Sequence, residues 1–278
     1  MTDDRRYHDV TFKASHNSFE RDEKPFTEQL SWSRGSPHQA GCRGLELDLR
    51  ESPHLTVWAV HHDEYTSRAD RQFGEFLHHL RRWSELHRGH DVITVTLDLK
   101  ARARDRRQFP RYLDLLIDEC LGRDRLFTPT DLIGDHDSLV AGAMADGWPT
   151  LDALRGRFVL CLSGDESTKQ TYASAGRDRR CFADQRLREG DRLPSRTDGD
   201  RVFVNVNADE DWDWEAHVRA LADRPGFISR TYGCNTSDLW RRAIAAGANI
   251  VATDMVRNHR WAHVGETPFV DLSPAGRP

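Results

Sequence analysis

The sequence predicts an α/β protein folded as a single (β/α)8, TIM-type barrel. Short apolar runs rich in β-branched residues recur along the chain of 278 residues, helical patterns separate most of them, and the number of runs is close to eight. Strands that alternate with helices indicate a parallel sheet, and about eight such units close into a barrel. The predicted strands cover residues 11–15, 43–49, 55–61, 92–99, 157–163, 202–206, 226–230 and 248–254.

Four segments carry the apolar spacing of helices. In FGEFLHHLRRWSEL the residues Phe73, Phe76, Leu77, Leu80 and Trp83 recur at helical intervals. No low-complexity linker divides the chain, and the polar segment 188–200 is typical of a loop. We therefore expect one domain over residues 1–278, with a barrel core at about 11–255. The predicted helices cover about 70–87, 108–121, 211–222 and 236–246.

The composition is that of a soluble globular protein. Charged residues make up 31% of the chain and hydrophobic residues 37%, and the net charge of −5 argues against non-specific binding of nucleic acid. No apolar run approaches the roughly 18 residues of a membrane span. The N-terminal segment MTDDRRYHDV lacks the apolar core of a signal peptide. We expect a cytoplasmic protein, with a trimmed secreted enzyme as the alternative.

The cysteines do not form a recognisable framework. The chain has five, an odd number, and no two of them are closely spaced. This spacing argues against a disulfide scaffold and against a zinc knuckle. Cys42 and Cys161 lie in apolar runs, so we expect both to be buried thiols.

Polar side chains cluster where the predicted strands end. Barrel enzymes place their chemistry at the C-terminal ends of the strands. One polar residue at such a position has little weight, but the same pattern at six strands predicts a site. In chain order, these positions are Ser15-His16-Asn17-Ser18, Glu46 with Asp48, His61-His62-Asp63, Asp98 with Lys100, Arg230, and Asp254.

The stretch CRGLELDLRE places two carboxylates side by side. Glu46 and Asp48 are two residues apart, so a strand points both to the same face, where they repel each other and lose hydration. A divalent cation removes that cost. With Asn17 and Asp98 they form an all-oxygen ligand set, which suits Ca²⁺ or Mg²⁺ rather than zinc. The alternative is pairing with arginines such as Arg43 and Arg50.

Lys100 is one of only four lysines in a chain rich in arginine. In LDLK it shares a strand face with Asp98. Its ammonium either stabilises a phosphate or a nearby carboxylate, or reaches solvent from the end of the strand.

These segments resemble the catalytic half of phosphatidylinositol-specific phospholipase C, especially its small calcium-dependent bacterial branch. The similarity runs from about residue 11 to about 255 and includes SHNS, GCRGLELDL, VHHDEYT, VTLDLK, GFISRT and GANIVATD. SHN alone would be a weak match, but the ordered set is specific. The resemblance implies a distorted (β/α)8 barrel of the phospholipase C-like phosphodiesterases, which cleaves a phosphodiester through a cyclic phosphate.

The resemblance also implies roles for individual residues. His16 matches the histidine that stabilises the transition state and helps with proton transfer, and His62 matches the one that protonates the leaving oxygen. Lys100 and Arg230 match residues that contact the substrate phosphate or lie just behind those that do. The calcium ligands of the family match Asn17, Glu46, Asp48 and Asp98.

The second histidine is ambiguous, because only one of His61 and His62 can face the interior from a strand. The family pattern aligns better with His62, which leaves His61 outside the barrel or at an interface.

The sequence is compatible with more than one class of substrate. The absent export signal and the acidic balance favour a soluble phosphodiester over phosphatidylinositol in a bilayer, although a lipid headgroup also fits the site. A glycerophosphodiester phosphodiesterase shares an ExD pair and a later HD, yet it normally opens with HRG, whereas this chain has SHNS. A barrel that only binds a phosphorylated ligand, and one redirected to another reaction, are further alternatives.

Overall fold

Eight parallel strands close into a barrel in the computed structural model of the chain. The structure describes residues 4–21, 25–31, 41–55, 57–256, 261–262 and 269–271. Neighbouring barrel strands pair in parallel around the ring, and β1 closes it by pairing with both β9 and β2. The predicted TIM-type barrel is confirmed. The barrel strands are β1 (Val10–Ser15), β2 (Gly44–Glu51), β4 (Ile93–Leu99), β5 (Phe158–Gly164), β6 (Cys181–Leu187), β7 (Phe203–Asn207), β8 (Ile228–Tyr232) and β9 (Ile250–Thr253).

Two short strands extend the sheet outside the ring. β3 (Trp58–Val60) pairs antiparallel with β2, and β10 (Phe269–Asp271) pairs antiparallel with β1. The prediction of a barrel strand at 55–61 is therefore wrong. Its apolar, β-branched pattern is the same for either strand direction, so sequence alone could not decide how it pairs.

Helices flank the barrel, and the four predicted from sequence are all present. Three shorter helices were not predicted, because five to eight residues are too few for a clear helical period. The segment 188–200 contains no regular element, as predicted. The helices are α1 (Phe73–Leu86), α2 (Phe109–Cys120), α3 (Pro129–Ile133), α4 (Leu139–Ala145), α5 (Glu166–Ala173), α6 (Trp214–Ala222) and α7 (Ser237–Ala246).

The alternation of β2 determines which side chains enter the barrel. Leu45, Leu47 and Leu49 are buried in one core cluster with the apolar face of α1. Because successive side chains point to opposite faces of a strand, Glu46 and Asp48 must face the barrel interior. The outer packing thus forces the two carboxylates inward.

The strand β6 was missed from the sequence. In CFADQRL the residues Asp184, Gln185 and Arg186 interrupt the apolar pattern, yet Asp184 is buried. Its carboxylate accepts a short hydrogen bond of 2.5 Å from the Nζ of Lys169, which is also buried. A buried ion pair of this kind has no hydrophobic signature in sequence.

The expectation that Cys42 and Cys161 are buried thiols is met. All five cysteines are buried and free, including Cys42 and Cys161. No helix among the described residues is long and apolar enough to cross a bilayer. The N-terminal end of the barrel is filled by aromatic rings, with Trp148 in contact with Tyr7, Phe182 and Phe203.

The closing seam between β1 and β2 depends on a glycine. Only Ala14 and Gly44 are in register across it, and a Cβ on Gly44 would lie 2.6 Å from the Cβ of Ala14. That separation is shorter than any normal contact, so a larger residue at Gly44 must push the two strands apart.

We expect Gly44→Ala to lower the free energy of unfolding by about 1–3 kcal/mol, the usual cost of overpacking a core. Urea unfolding measures it. Gly74→Ala in α1 is the matched control, because a Cβ there meets its nearest atom at an ordinary 3.4 Å. The control should be neutral or slightly stabilising through helix propensity. Equal effects of the two variants would contradict the role of the seam.

Candidate active site

Three carboxylates meet at the C-terminal end of the barrel. The register of β2 and β4 places Asp48 directly beside Asp98. Glu46 lies two residues before Asp48 on β2 and points to the same side of the strand. One oxygen from each of the three lies within 4.8 Å of the others. Glu46 and Asp48 are buried, so their repulsion is poorly screened by water.

Two cations offset this charge. The Nζ of Lys100 lies 2.6 Å from the Oδ2 of Asp98 and 3.0 Å from the Oδ2 of Asp48. The Nη2 of Arg230 lies 2.9 Å from the Oε2 of Glu46. One prediction for Lys100 was that its ammonium stabilises a nearby carboxylate, and these contacts agree with it. The side chain does not simply reach solvent.

The arginines proposed as alternative partners lie elsewhere. Arg43 pairs with Asp91 at 2.9 Å. Arg50 donates to the main-chain carbonyls of His62 and Lys100 at 2.8 and 3.2 Å. Neither forms an ion pair with Glu46 or Asp48, and Arg230 is the arginine that does.

The three groups respond differently to burial. Burial raises the pKa of Asp48 to about 6, with the Glu46 and Asp98 charges adding to the shift and Lys100 opposing it. Burial also raises the pKa of Glu46, but Arg230 and His16 outweigh it, so the net pKa is lowered. Burial lowers the pKa of Lys100, yet the adjacent carboxylates raise it above its usual value. Of the two buried carboxylates, Asp48 is thus the one whose charge is less well compensated.

His16 follows directly after β1 and lies against one side of the cluster. Its Nδ1 is 2.9 Å from the Oδ1 of Asp254, and its Nε2 is 3.8 Å from the Oε2 of Glu46. Asp254 is itself held by the Nδ2 of Asn235 at 2.8 Å and by Arg21 at 3.3 Å. A carboxylate at Nδ1 fixes the ring and leaves Nε2 for proton transfer.

His62 contacts the cluster through Asp48. Its Nδ1 lies 2.7 Å from the Oδ2 of Asp48. The Nδ1 of His61 instead accepts the backbone N–H groups of Asp63 and Glu64. The structure therefore brings His62 to the cluster. It does so from the end of the antiparallel β3 rather than from a barrel strand.

Asn17 adopts a left-handed backbone, with φ 47° and ψ 55°. Asparagine tolerates this conformation better than most residues. The conformation lets its backbone N–H donate to the Oε2 of Glu46 at 3.2 Å. Its Oδ1 is buried without a hydrogen-bond partner among the described residues, and so is the Oδ1 of Asp48. Unpartnered buried oxygens beside three carboxylates fit a hard divalent cation.

An open cavity of about 810 Å³ lies over this cluster. Arg230 lines it, with its Nη1 donating to the Oδ1 of Asn205 at 3.0 Å and its guanidinium 5.2 Å from the ring centre of Tyr232. Tyr232 also stacks on His16 at 5.9 Å between ring centres.

The structure brings all the predicted site residues together at one end of the barrel and adds a few that were not selected. Asp254 stood among the polar residues at strand ends, but its contact with His16 required the closed barrel. Asn205 and Tyr232 had no signal beyond their place in or near a predicted strand. The predicted residues are His16, Asn17, Glu46, Asp48, His62, Asp98, Lys100 and Arg230.

Solved structures share this fold. A calcium-dependent phosphoinositol-specific phospholipase C from Pseudomonas sp., described as a myoinositol complex, matches with a TM-score of 0.77 and 21% identity over 97% of this chain and 96% of that chain. A Ca²⁺-dependent phosphatidylinositol-specific phospholipase C from Streptomyces antibioticus matches with a TM-score of 0.72 and 19% identity, covering 90% and 95% of the two chains. A glycerophosphodiester phosphodiesterase from Parabacteroides distasonis matches less well, with a TM-score of 0.54 and 12% identity over 89% and 94%.

No curated protein sequence matches the chain significantly. A family match is nevertheless clear, since residues 48–267 fit the family described as phosphoinositide phospholipase C, Ca²⁺-dependent. That span covers most of the barrel and includes the carboxylate cluster except for Glu46. The chain therefore belongs to the Ca²⁺-dependent phosphoinositide phospholipase C family and is a phosphoric diester hydrolase of the phospholipase C type.

Proposed function

We propose that the protein is a Ca²⁺-dependent phosphodiesterase that cleaves an inositol phosphodiester by attack of a neighbouring substrate hydroxyl, which gives a cyclic phosphate. One observation carries the proposal. His16 and His62 each contact an aspartate through Nδ1, and both adjoin the same carboxylate cluster. Two imidazoles placed in this way can act as base and acid on the two ester oxygens of one phosphate.

Each of these residues has a separate role in the proposed reaction. The Nε2 of His16 accepts the proton of the attacking hydroxyl, while Asp254 stabilises the resulting imidazolium. His62 protonates the leaving oxygen, and the exposed half of its ring gives that oxygen access. Arg230 and Lys100 place positive charge beside the phosphate, where charge increases in the transition state.

A bound divalent cation would neutralise the phosphate further and lower the pKa of the attacking hydroxyl. Asn17, Glu46, Asp48 and Asp98 would hold it, and the all-oxygen set together with the family favours Ca²⁺ over Mg²⁺.

Turnover of glycerophosphoinositol, glycerophosphocholine and a nitrophenyl inositol phosphodiester, followed by ³¹P NMR with Ca²⁺, Mg²⁺ or a chelator, tests the proposal. We expect a Ca²⁺-dependent cyclic phosphate from the inositol compounds. His16→Ala and His62→Ala should each lower kcat by about 10²–10⁴-fold, because each removes a proton-transfer group.

His61→Ala is the matched control for the second histidine and should keep most of the activity. An equal loss in His61→Ala would contradict the assignment of His62. Glycerol 3-phosphate as the first product, without a cyclic phosphate, would instead favour a glycerophosphodiester phosphodiesterase.

Asp254→Asn should lower kcat by at least about 10²-fold with little change in KM. The amide would donate to Nδ1 of His16 and move the proton to Nε2, the tautomer that cannot act as a base. Steady-state kinetics across pH measures this. An unchanged kcat would show that Asp254 does not orient His16 for catalysis.

Asp48→Asn should stabilise the metal-free protein while abolishing activity. The pKa of Asp48 is raised from 3.8 to about 6, so the folded state holds a proton that the unfolded state has lost. This contribution to stability is complete below about pH 4 and is lost as the pH rises through 6, at a cost of about 3 kcal/mol.

Urea unfolding in chelator should therefore show Asp48→Asn to be more stable than the native protein at pH 8, with the difference vanishing near pH 4. Asp63→Asn, an exposed carboxylate next to His62, is the control. Added Ca²⁺ should stabilise the native protein and not Asp48→Asn. A variant that is less stable at pH 8 would contradict the prediction.

A further inference from the structure

Arg50 is the next inward-facing residue after Glu46 and Asp48 on β2, and its side chain reaches the main chain of two other segments. Its Nε and Nη2 donate to the carbonyl of His62 at 3.2 and 2.8 Å, and its Nη1 donates to the carbonyl of Lys100 at 3.2 Å. We propose that Arg50 is a positioning residue, which holds His62 where its ring can protonate the leaving oxygen. The proposal rests on the phosphodiesterase function proposed above.

The main chain at His62 has little other support. The antiparallel ladder ends before it, since β3 stops at Val60 and the N–H of His61 makes the last bond to β2, at 3.0 Å from the carbonyl of Asp48. Among the described residues, the main chain of His62 forms no hydrogen bond with another main-chain group. Its carbonyl is therefore fixed by the two donors of Arg50.

The ring of His62 has a single polar contact within the described part of the chain. Its Nδ1 lies 2.7 Å from the Oδ2 of Asp48, and the side chain is 47% exposed. A ring held by one hydrogen bond, with an exposed face, can turn about that bond unless its backbone is fixed. A displacement of about 1 Å at a catalytic group can cost about 100-fold in rate. Fixing the carbonyl of His62 therefore matters for proton transfer.

The guanidinium group suits this role. Its N–H donors lie in one plane and point in fixed directions, so a single side chain can bond two carbonyls and set the distance between them. Among the described residues, all hydrogen bonds of the Arg50 guanidinium go to the carbonyls of His62 and Lys100. Arg50 thus joins the connection that follows β3 to the end of β4.

Lys100 depends on this bond much less than His62 does. Its backbone N–H donates to the carbonyl of Leu49 at 3.1 Å, and its Nζ pairs with two carboxylates of the cluster at 2.6 and 3.0 Å. Removing the side chain of Arg50 should therefore displace the acid and leave the positive charge beside the phosphate in place.

The leaving group of the substrate distinguishes this role from others. In the proposed reaction the proton on Nε2 of His62 moves to the leaving oxygen as the bond from that oxygen to phosphorus breaks, and the ring becomes neutral. The alkoxide of glycerol needs this proton, whereas nitrophenolate is a weak base and leaves without it. The loss expected for His62→Ala therefore applies in full to glycerophosphoinositol and only in small part to the nitrophenyl inositol phosphodiester.

Steady-state kinetics of Arg50→Met with these two substrates tests the proposal. We expect kcat to fall about 10–100-fold with glycerophosphoinositol and less than about threefold with the nitrophenyl compound, with little change in KM. In a His62→Ala background, Arg50→Met should cause no further loss, because the group that it positions is gone. Equal losses with the two substrates, or an additional loss in the double variant, would overturn the proposal.

Arg104 provides the matched control. Its Nη1 also joins the loop after β4 to the connection between β2 and β3, at 3.2 Å from the carbonyl of Ser52. Its hydrogen bonds among the described residues involve neither catalytic histidine. Arg104→Met should keep the native kcat with both substrates. A loss that equals that of Arg50→Met would show a general loosening of the connection and would contradict a specific role for Arg50.

The mobility of the His62 ring is a second readout, which does not depend on turnover. In chelator, ¹³C relaxation at Cε1 of the histidine rings measures their motion on the picosecond to nanosecond timescale as an order parameter. We expect the order parameter of His62 to fall in Arg50→Met and to keep its native value in Arg104→Met, with that of His16 unchanged in both. An unchanged His62 ring in Arg50→Met would refute the positioning role, whether or not the protein turns over a substrate. The expected change in the ring, without turnover of any phosphodiester by the native protein, would refute the phosphodiesterase function alone.

Discussion

The repulsion among three carboxylates at one end of the barrel is the constraint on which the rest of the site depends. Glu46, Asp48 and Asp98 approach within 4.8 Å because two neighbouring strands point them into the same interior. Carboxylates this close are stabilised by nearby positive charge or by protonation of one of them. Lys100 and Arg230 supply that charge, His16 and His62 adjoin the cluster, and all four side chains are suited to a phosphate.

Nearby positive charge compensates Glu46 more fully than Asp48, and this difference bears on cation binding. Glu46 is paired so well that its pKa falls below the usual value, whereas burial raises the pKa of Asp48 to about 6. The Oδ1 of Asp48 also has no hydrogen-bond partner among the described residues. A site that is destabilised when empty and stabilised by a divalent cation is primed to bind one, since binding removes the same cost that folding incurred.

The two histidines come from different structural elements, yet each contacts an aspartate through Nδ1. His16 follows a parallel strand, and its Nδ1 contacts Asp254, which comes directly after the last strand of the ring. His62 follows an antiparallel strand outside the ring, and its Nδ1 contacts Asp48. Both Nδ1 atoms meet a carboxylate, so both rings expose Nε2 to chemistry.

The sequence by itself determined the barrel, its long helices and the polar ends of its strands, because those features follow from local periodicity and from which residue types can face an apolar core. It also predicted that Glu46 and Asp48 share one face, since a spacing of two residues along a strand fixes their common side. Tertiary structure decided what periodicity does not encode. Four features depend on contacts between segments far apart in the chain. They are the direction of β3, the strand β6 with its buried Asp184–Lys169 pair, the contact of His62 with Asp48, and the contact of His16 with Asp254.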